Sequence, residues 1–259
     1  MPHLPHTSIH LNALADFPMI EPNNDLATVL IQSLQHNGIA LETRDVVVLA
    51  QKIVSKAEGR LVRLADVQPS ARALEVAEEI NKDSRMVELI LSESREIVAQ
   101  RPGVLIVEHR LGYIMANAGI DQSNIDHPND EEYALLLPEN PDQTCAQLKS
   151  ALDRHFNADV GVIINDSFGR PWRMGVTGVA LGAAGLPSLL SLIGKPDLYG
   201  RAMRVSEIAF ADEIAAAASL IMGQTSAGQP VVHVRGLQWE EQSNSAQTLL
   251  RPRHQDLFR

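Results

Sequence analysis

Apolar positions along this chain follow two spacings. Residues 45–50 (Asp-Val-Val-Val-Leu-Ala) and 160–164 (Val-Gly-Val-Ile-Ile) are short apolar runs, the pattern of strands buried on both faces. Residues 231–234 predict a last strand of the same kind. Helical spacing begins after Pro69-Ser70, with Leu74, Ala77 and Ile80 predicted on one face. Ser84 is placed as the cap of a second helix bearing Val87, Ile90 and Leu91. Leu148, Leu152 and Phe156 predict a helix over 144–156, and another over 208–222 ends at Gly223, a natural left-handed terminator. Residues 104–108 and 113–116 read as a hairpin around Arg110-Leu-Gly112. The first fifteen residues, with His3, His6 and His10, read as a loose tail. Residues 128–141 read as a surface loop, 169–194 as a glycine-punctuated stretch, and everything beyond Gln238 as a ragged polar tail.

Strand and helix signals mix without regular alternation, which disfavours a doubly wound sheet. No repeat at solenoid spacing occurs. The 259 residues are 45% apolar, enough for a sizeable core without disulfides. The single cysteine, Cys145, has no partner for an intramolecular bridge, in keeping with a reducing compartment. The start lacks the basic and apolar regions of a signal peptide, and no apolar run is long enough to span a bilayer, so a cytoplasmic location is expected. A formal net charge of −10 argues against a general nucleic-acid binder. An anionic substrate would need a local cationic cluster against that field. Arg170, Arg173, Arg201 and Arg204 are the candidates, each also readable as a solvated surface arginine.

Two segments carry the chemistry. Asn117-Ala-Gly-Ile-Asp-Gln-Ser-Asn124 and Ile164-Asn-Asp-Ser-Phe-Gly-Arg-Pro-Trp-Arg173 each set a carboxylate and a small hydroxyl at what reads as the exit of a strand, with no His or Cys. Oxygen-only donor sets suit hard cations such as Mg²⁺ and Mn²⁺, which commonly act on phosphate groups. Each segment also has a plain structural reading: Asp121 as a turn former with Ser123 or Asn124 as a cap, and Asp166-Ser167 as a cap at a strand exit. Lys56 would more often be a solvated lysine, but its place inside Ser-Lys-Ala-Glu-Gly favours phosphate binding, and Trp172 reads either as a stacking surface or as a half-buried packing residue. The phosphate-binding loop Gly-x-x-x-x-Gly-Lys-[Ser/Thr] is absent, as are the dinucleotide fingerprint, the Gly-x-Ser-x-Gly elbow and His-Glu-x-x-His.

Six blocks in order resemble the coenzyme F-420:L-glutamate ligases, also called F-420-0:γ-glutamyl ligases. They are Lys52-Ile-Val-Ser-Lys-Ala-Glu-Gly-Arg60, Ala118-Gly-Ile-Asp-Gln-Ser-Asn124, Leu136-Leu-Pro138, Asp166-Ser-Phe-Gly-Arg-Pro-Trp-Arg173, Asp197-Leu-Tyr-Gly-Arg201 and Met222-Gly-Gln224. The resemblance runs from about residue 8 to residue 237 and is to the single-domain form; longer members add a C-terminal nitroreductase-like, flavin-binding domain. It implies an α+β fold of mixed, largely antiparallel sheets with helices, assembled as an intertwined homodimer. Residues 1–237 would form the ligase domain, with 238–259 as a tail.

The implied reaction joins L-glutamate to the lactyl carboxylate of a deazaflavin, with GTP converted to GDP and phosphate through an acyl phosphate. By the same resemblance one divalent cation, Mg²⁺ or Mn²⁺, is held by Asp121 and Asp166, and a second through Ser167 and Gln224; potassium is a further cation. Ser167 stands where the family usually has threonine. The nucleotide would touch Phe17, Pro18, Met19, Ile20, Gln51, Lys56, Asn124 and the loop Met222, Gly223, Gln224, Thr225, Ser226, Ala227, Gly228 and Gln229. Gln51 replaces a hydroxyl residue found in some members. Asp121, Asp166 and Lys56 are the expected catalytic residues. Arg170 and Arg173 are assigned to substrate because guanidinium forks suit carboxylate and phosphate oxygens. Two other readings remain at this point: a related γ-glutamyl ligase acting on another carboxylate, and a non-catalytic nucleotide-binding protein.

Overall fold

The computed structural model describes residues 7–125 and 131–258. Its main sheet has five strands in the order β1 (His10–Ala13), β12 (Val231–Arg235), β2 (Val46–Ala50), β8 (Gly161–Arg170) and β9 (Arg173–Ala184). Only β2 and β8 pair in parallel; the other three pairings are antiparallel. The fold is therefore α+β with mixed, mostly antiparallel sheets, as the sequence resemblance implies.

The apolar run of β2 is explained by its central place. Val47 and Leu49 join a core with α1 (Leu26–His36) and α5 (Pro141–Phe156), while Val46 and Val48 join a second core with α6 (Phe210–Met222) on the opposite face. A strand buried on both sides has no polar face to alternate with. Parallel neighbours cannot be linked by a tight turn, so the chain leaves β2 through α2 (Gln51–Ala57) and returns to β8 through α5. A third core lies within that crossover. It gathers α3 (Ala71–Ile80), α4 (Ser84–Ser92), β4 (Ser94–Arg101) and β5 (Val104–His109), and the short pair β3 (Leu61–Arg63) with β7 (Tyr133–Leu135); β6 (Ile114–Ala116) completes the sheet of β4 and β5 and sends Met115 into the first core. A small antiparallel pair, β10 (Leu190–Ser191) with β11 (Glu207–Ile208), closes the arm that follows β9.

β8 does not end at Ile164. It continues through Asp166 to Arg170 and turns at Pro171-Trp172 into β9, so Asp166 sits within a long hairpin rather than at a strand exit. The pairing changes register between Ile164 and Asn165, which face Gly182 and Ala180; Leu181 is the extra residue of a bulge. Tyr113 donates its hydroxyl to the Leu181 carbonyl, Ala180 N–H donates to Asp212, and Ala183 N–H donates to Asp142. The backbone groups around the bulge are thereby satisfied from three other elements. The glycines of this region reflect close packing. A Cβ at Gly178 would lie 2.5 Å from the Ala215 carbonyl of α6, and one at Gly182 would lie 2.4 Å from the Pro141 backbone of α5.

Several sequence expectations are corrected. Within the expected tail, His10 belongs to β1, paired with Arg235 across the edge of the sheet; His3 and His6 lie outside the described residues. Ser70 caps α3 as expected, but Leu74 is 54% exposed and the buried face is Ala73, Val76, Ala77 and Ile80. Asp83, not Ser84, caps α4, its carboxylate accepting from Arg85 N–H. The expected loop 128–141 contains β7 and the buried Leu136 and Leu137; its first three residues lie outside the described set. The polar stretch past Gln238 is pinned where Asn244 accepts from Ser188 and Leu189 N–H and Ala246 is fully buried.

One buried ion cluster ties the start of β2 to β12. Asp45, 2% exposed, meets Arg235 Nη2 at 2.5 Å and His233 Nε2 at 2.9 Å. Burial alone would raise the Asp45 carboxyl, but its hydrogen bonds from Arg235 and the contact with His233 outweigh it and depress the pKa to about 2. A carboxyl depressed on folding stabilises the fold fully above its ordinary value near 3.8, and that contribution is lost as pH falls toward 2. Asp45→Asn should therefore cost about 3 kcal/mol at pH 7, the usual scale for breaking a buried pair. The gap from the parent should shrink between about pH 4 and pH 2, as read by urea unfolding across pH; a gap that does not change with pH would remove the charge from the explanation.

Candidate active site

The register of β2 with β8 sets the site. Ala50 pairs with Asn165, so the chain leaving β2 into α2 runs beside Asp166 and Ser167. On α2, Lys52 and Lys56 are spaced i, i+4 and share a face. After β6 the backbone turns through Asn117, Ala118 and Gly119, all with positive φ, and delivers Asp121, whose N–H and carbonyl both pair with Leu135. Glycine suits position 119: at φ 67° a Cβ would also lie 2.9 Å from the Leu137 side chain.

Asp121 is held tightly. Its carboxylate accepts from Ser123 N–H at 2.7 Å and from Ser123 Oγ at 3.0 Å, and Lys52 Nζ lies 2.7 Å from Oδ2. Lys52 Nζ also donates to Ser123 Oγ at 2.8 Å and to the Ser123 carbonyl at 3.1 Å. Lys56 Nζ donates to the Asn124 carbonyl at 2.9 Å. From the other side, Asn124 Nδ2 donates to the Thr225 carbonyl at 3.1 Å, and Ser167 Oγ donates to Gln224 Oε1 at 3.1 Å. Gly223, at φ 72°, ends α6 and turns the chain into this loop. The structure thus brings together Asp121, Asn124, Ser167, Gln224, Thr225, Lys52 and Lys56 from four separated parts of the chain.

The two carboxyls sit in different fields. Burial pushes Asp166 up to about 6, against the Ser167 amide N–H and the Lys52 charge, with Asp121 adding to the rise. Asp121 is also penalised by burial, but hydrogen bonding from Lys52 and Ser123 prevails and its pKa is lowered. A partly buried carboxyl raised in this way is short of positive charge. Among the described residues no group of three or more His, Cys, Asp or Glu side chains is placed to hold a metal. The oxygen donors present are two carboxylates in each other's field, Asp121 and Asp166, and, on the next residue of β8, a hydroxyl bonded to the Gln224 amide oxygen. That set fits a Mg²⁺ or Mn²⁺ that keeps water and takes phosphate oxygens to fill its shell.

The other expected residues are placed as follows. Gln51 is 3% exposed, and its Oε1 accepts from Ser55 Oγ within α2. In the segment before α1, Ile20 is buried in the α1 and α5 core, Phe17 packs against it, and Pro18 and Met19 are exposed. Ser226, Ala227, Gly228 and Gln229 form the remainder of the loop before β12. Arg170 and Arg173 face each other at the exposed tip of the β8–β9 hairpin, where Arg170 Nη2 donates to the Met174 carbonyl. Four residues of strand, roughly 13 Å, separate Asp166 from that tip. Arg201 and Arg204 are exposed on the arm between β10 and β11. Trp172 is 80% exposed, with its ring against Phe258, so a half-buried packing role is not observed. Sequence reasoning passed over Lys52. The signal available was its i, i+4 spacing from Lys56 directly after an apolar strand.

Comparison with known proteins gives the family. The family model described as F420-0:Gamma-glutamyl ligase matches residues 15–236. A protein of Methanothermobacter thermautotrophicus named Coenzyme F420:L-glutamate ligase is 41% identical, over 97% of this chain and 99% of its own. A protein of the same name from Methanopyrus kandleri is 42% identical over 93% of both chains, and one from Methanocaldococcus jannaschii is 36% identical over 85% and 86%. The chain belongs to the F420-0:gamma-glutamyl ligase family.

Replacing Asp166 by Asn removes a charge that burial disfavours while keeping the side chain's shape. Asp166→Asn should leave the thermal midpoint unchanged or slightly raised, yet lower Mn²⁺ affinity in calorimetry by at least tenfold, about 1.4 kcal/mol. Unchanged Mn²⁺ affinity would take Asp166 out of the metal site.

Proposed function

We propose that this family member joins L-glutamate through an amide bond to the lactyl carboxylate of the deazaflavin coenzyme F420-0, consuming GTP and releasing GDP and phosphate. The observation that supports it most is the Lys52–Asp121 pair in the field of Asp166, with the Ser167–Gln224 hydrogen bond on the next residue of β8 and Lys56 on the same helix as Lys52. Similar proteins of nearly equal length carry the name Coenzyme F420:L-glutamate ligase. No helix among the described residues is long and apolar enough to cross a membrane, and a cytoplasmic location suits these small soluble substrates.

In this reading Asp121 and Asp166 hold one Mg²⁺ or Mn²⁺, and Ser167 and Gln224 hold another, with potassium as a further cation. The metal ions supply charge neutralisation of the triphosphate during transfer. Lys56, Asn124, Gln51, the segment from Phe17 to Ile20 and the loop from Met222 to Gln229 bind and orient the nucleotide. The acceptor carboxylate oxygen attacks the γ-phosphorus, the bond to the β-phosphate oxygen breaks, and GDP leaves. The glutamate amine then attacks the acyl carbon of the acyl phosphate, loses a proton, and expels inorganic phosphate. Excluding water from the acyl phosphate is essential, because hydrolysis would waste the nucleotide. Arg170 and Arg173 collect the anionic acceptor and glutamate.

A homodimer belongs to the same proposal. Trp172, Met174, Leu198, Tyr199 and Val205 are each at least 80% exposed, on the hairpin tip and the arm. Apolar surface on such projections suits a second copy of the chain.

Mass spectrometry of coenzyme F420-0 incubated with the protein, GTP, L-glutamate and Mn²⁺ should show a glutamylated product, and omission of any one component should abolish it. Product formed without nucleotide, or none under the complete mixture, would overturn the reading. Arg173→Ala should raise the apparent KM for F420-0 or glutamate about tenfold while leaving that for GTP within about twofold, the scale of one lost charge-assisted contact. An effect confined to GTP would reassign this arginine to the nucleotide.

A further inference from the structure

Lys52 has no part in the proposed chemistry, yet it occupies its centre. Its ammonium has three N–H donors and three oxygens around it: Asp121 Oδ2 at 2.7 Å, Ser123 Oγ at 2.8 Å and the Ser123 carbonyl at 3.1 Å. The side chain is 25% exposed, so the stem is covered while the head meets the cleft. Its charge also reaches Asp166. Lys52 stands in the first turn of α2, where the helix field mildly disfavours a cation and the Asp121 carboxylate offsets it. One face of α2 then carries two ammonium groups against the loop 121–124: Lys56 donates to the Asn124 carbonyl, and Lys52 rests on a carboxylate that a metal would claim.

We propose that Lys52 is a stand-in cation, holding Asp121 in the absence of a divalent ion and moving to an oxygen of the transferred phosphoryl group once metal and nucleotide arrive together. The proposal rests on the ligase reading. An ammonium and a divalent ion compete for Asp121 Oδ2, since like charges within about 4 Å repel and the carboxylate screens them only in part. A displaced lysine keeps its charge, and its four-carbon stem lets the head swing while the helix stays fixed. The nearest chemistry able to accept it is the anionic phosphoryl oxygen that the metal brings in. Lys52 would then contribute charge during transfer, when negative charge spreads over the moving group.

The test uses the intact protein and needs no variant to begin with. Acetylation by an amine-reactive reagent, read at Lys52 by peptide mass spectrometry with Lys56 beside it, compares the protein alone, with Mn²⁺, and with Mn²⁺ plus GTP. Lys52 should be slow to react alone, severalfold faster with Mn²⁺, and protected again with Mn²⁺ plus GTP. No rise with Mn²⁺ overturns the stand-in role, and no renewed protection with GTP overturns the transfer to phosphate. Lys52→Met supplies the second arm. With its thermal midpoint within a few degrees of the parent, it should bind Mn²⁺ without nucleotide severalfold more tightly, while kcat falls about a hundredfold and the KM for GTP moves less than about threefold. Weaker or equal Mn²⁺ binding, or unchanged kcat, overturns the proposal. The parent run in parallel separates the two readings: a parent that binds no Mn²⁺ removes the metal site and this inference together, whereas a parent that binds Mn²⁺ and forms product alongside an unaffected Lys52→Met removes only the inference.

Discussion

The parallel pairing of β2 with β8 is the constraint on which the site depends. Parallel strands point their carboxyl ends the same way, so the end of β2, where α2 begins, and the middle of β8 arrive at one edge of the sheet. Ligand sites in open sheets gather at such ends because loops there are free of the hydrogen-bond ladder. Here the register places Ala50 opposite Asn165, which brings the lysines of α2 alongside Asp166 and Ser167. The same pairing forces a long crossover, and Asp121 is carried back to the sheet by that crossover. A one-residue slip would turn Asp166 to the other face and dismantle the cleft.

What keeps the crossover in place is a second charge cluster. Arg60, just past α2, meets Glu93 at 2.9 Å and Glu139 at 3.0 Å, and Arg110 meets the same two carboxylates at 3.0 and 3.2 Å. Glu93 is penalised by burial, yet the nearby His109, the hydrogen bond from Arg110 and the charge of Arg60 hold its pKa at about 2. Glu93 follows α4 in the third core, whereas Arg60 follows the helix that bears Lys52 and Lys56. The ion cluster therefore couples the packing of one core to the position of the cleft at its border. Glu58 reinforces this joint, accepting from the Glu139 N–H and the Thr144 hydroxyl at the start of α5.

The cleft itself is built against the preferences of a folded chain. Two carboxyls are brought into partial burial near each other, and the nearby positive charges are lysines on a helix rather than arginines in a fork. Lysine is a compact charge on a flexible stem, suited to giving way, where arginine would lock the pair in place. Contrast Asp45, whose partner Arg235 grips it with two nitrogens at 2.9 and 2.5 Å. That pair is a two-point grip; the one between Lys52 and Asp121 is a single ammonium on a flexible stem.

The sequence by itself determined the buried strands, several helices and the candidate residues. Those signals are local: an unbroken apolar run such as Val46 to Leu49 suits only a strand covered on both faces, and Ser70 before a 3.6-residue pattern caps a helix wherever that helix packs. The ordered blocks carried the family, because backbone turns such as Asn117-Ala-Gly and chemistry such as Asp166-Ser167 constrain neighbouring residues together. Tertiary structure alone decided the rest. Glycines that read as loop punctuation at 178 and 182 prove to be places where α6 and α5 press on β9, a fact set by elements remote in sequence. β7 escaped notice since three residues flanked by prolines carry too little periodicity to stand out. Lys52 was overlooked for the same physical reason: a lone lysine on a helix face looks solvated until the fold lays Asp121, some seventy residues on, against it.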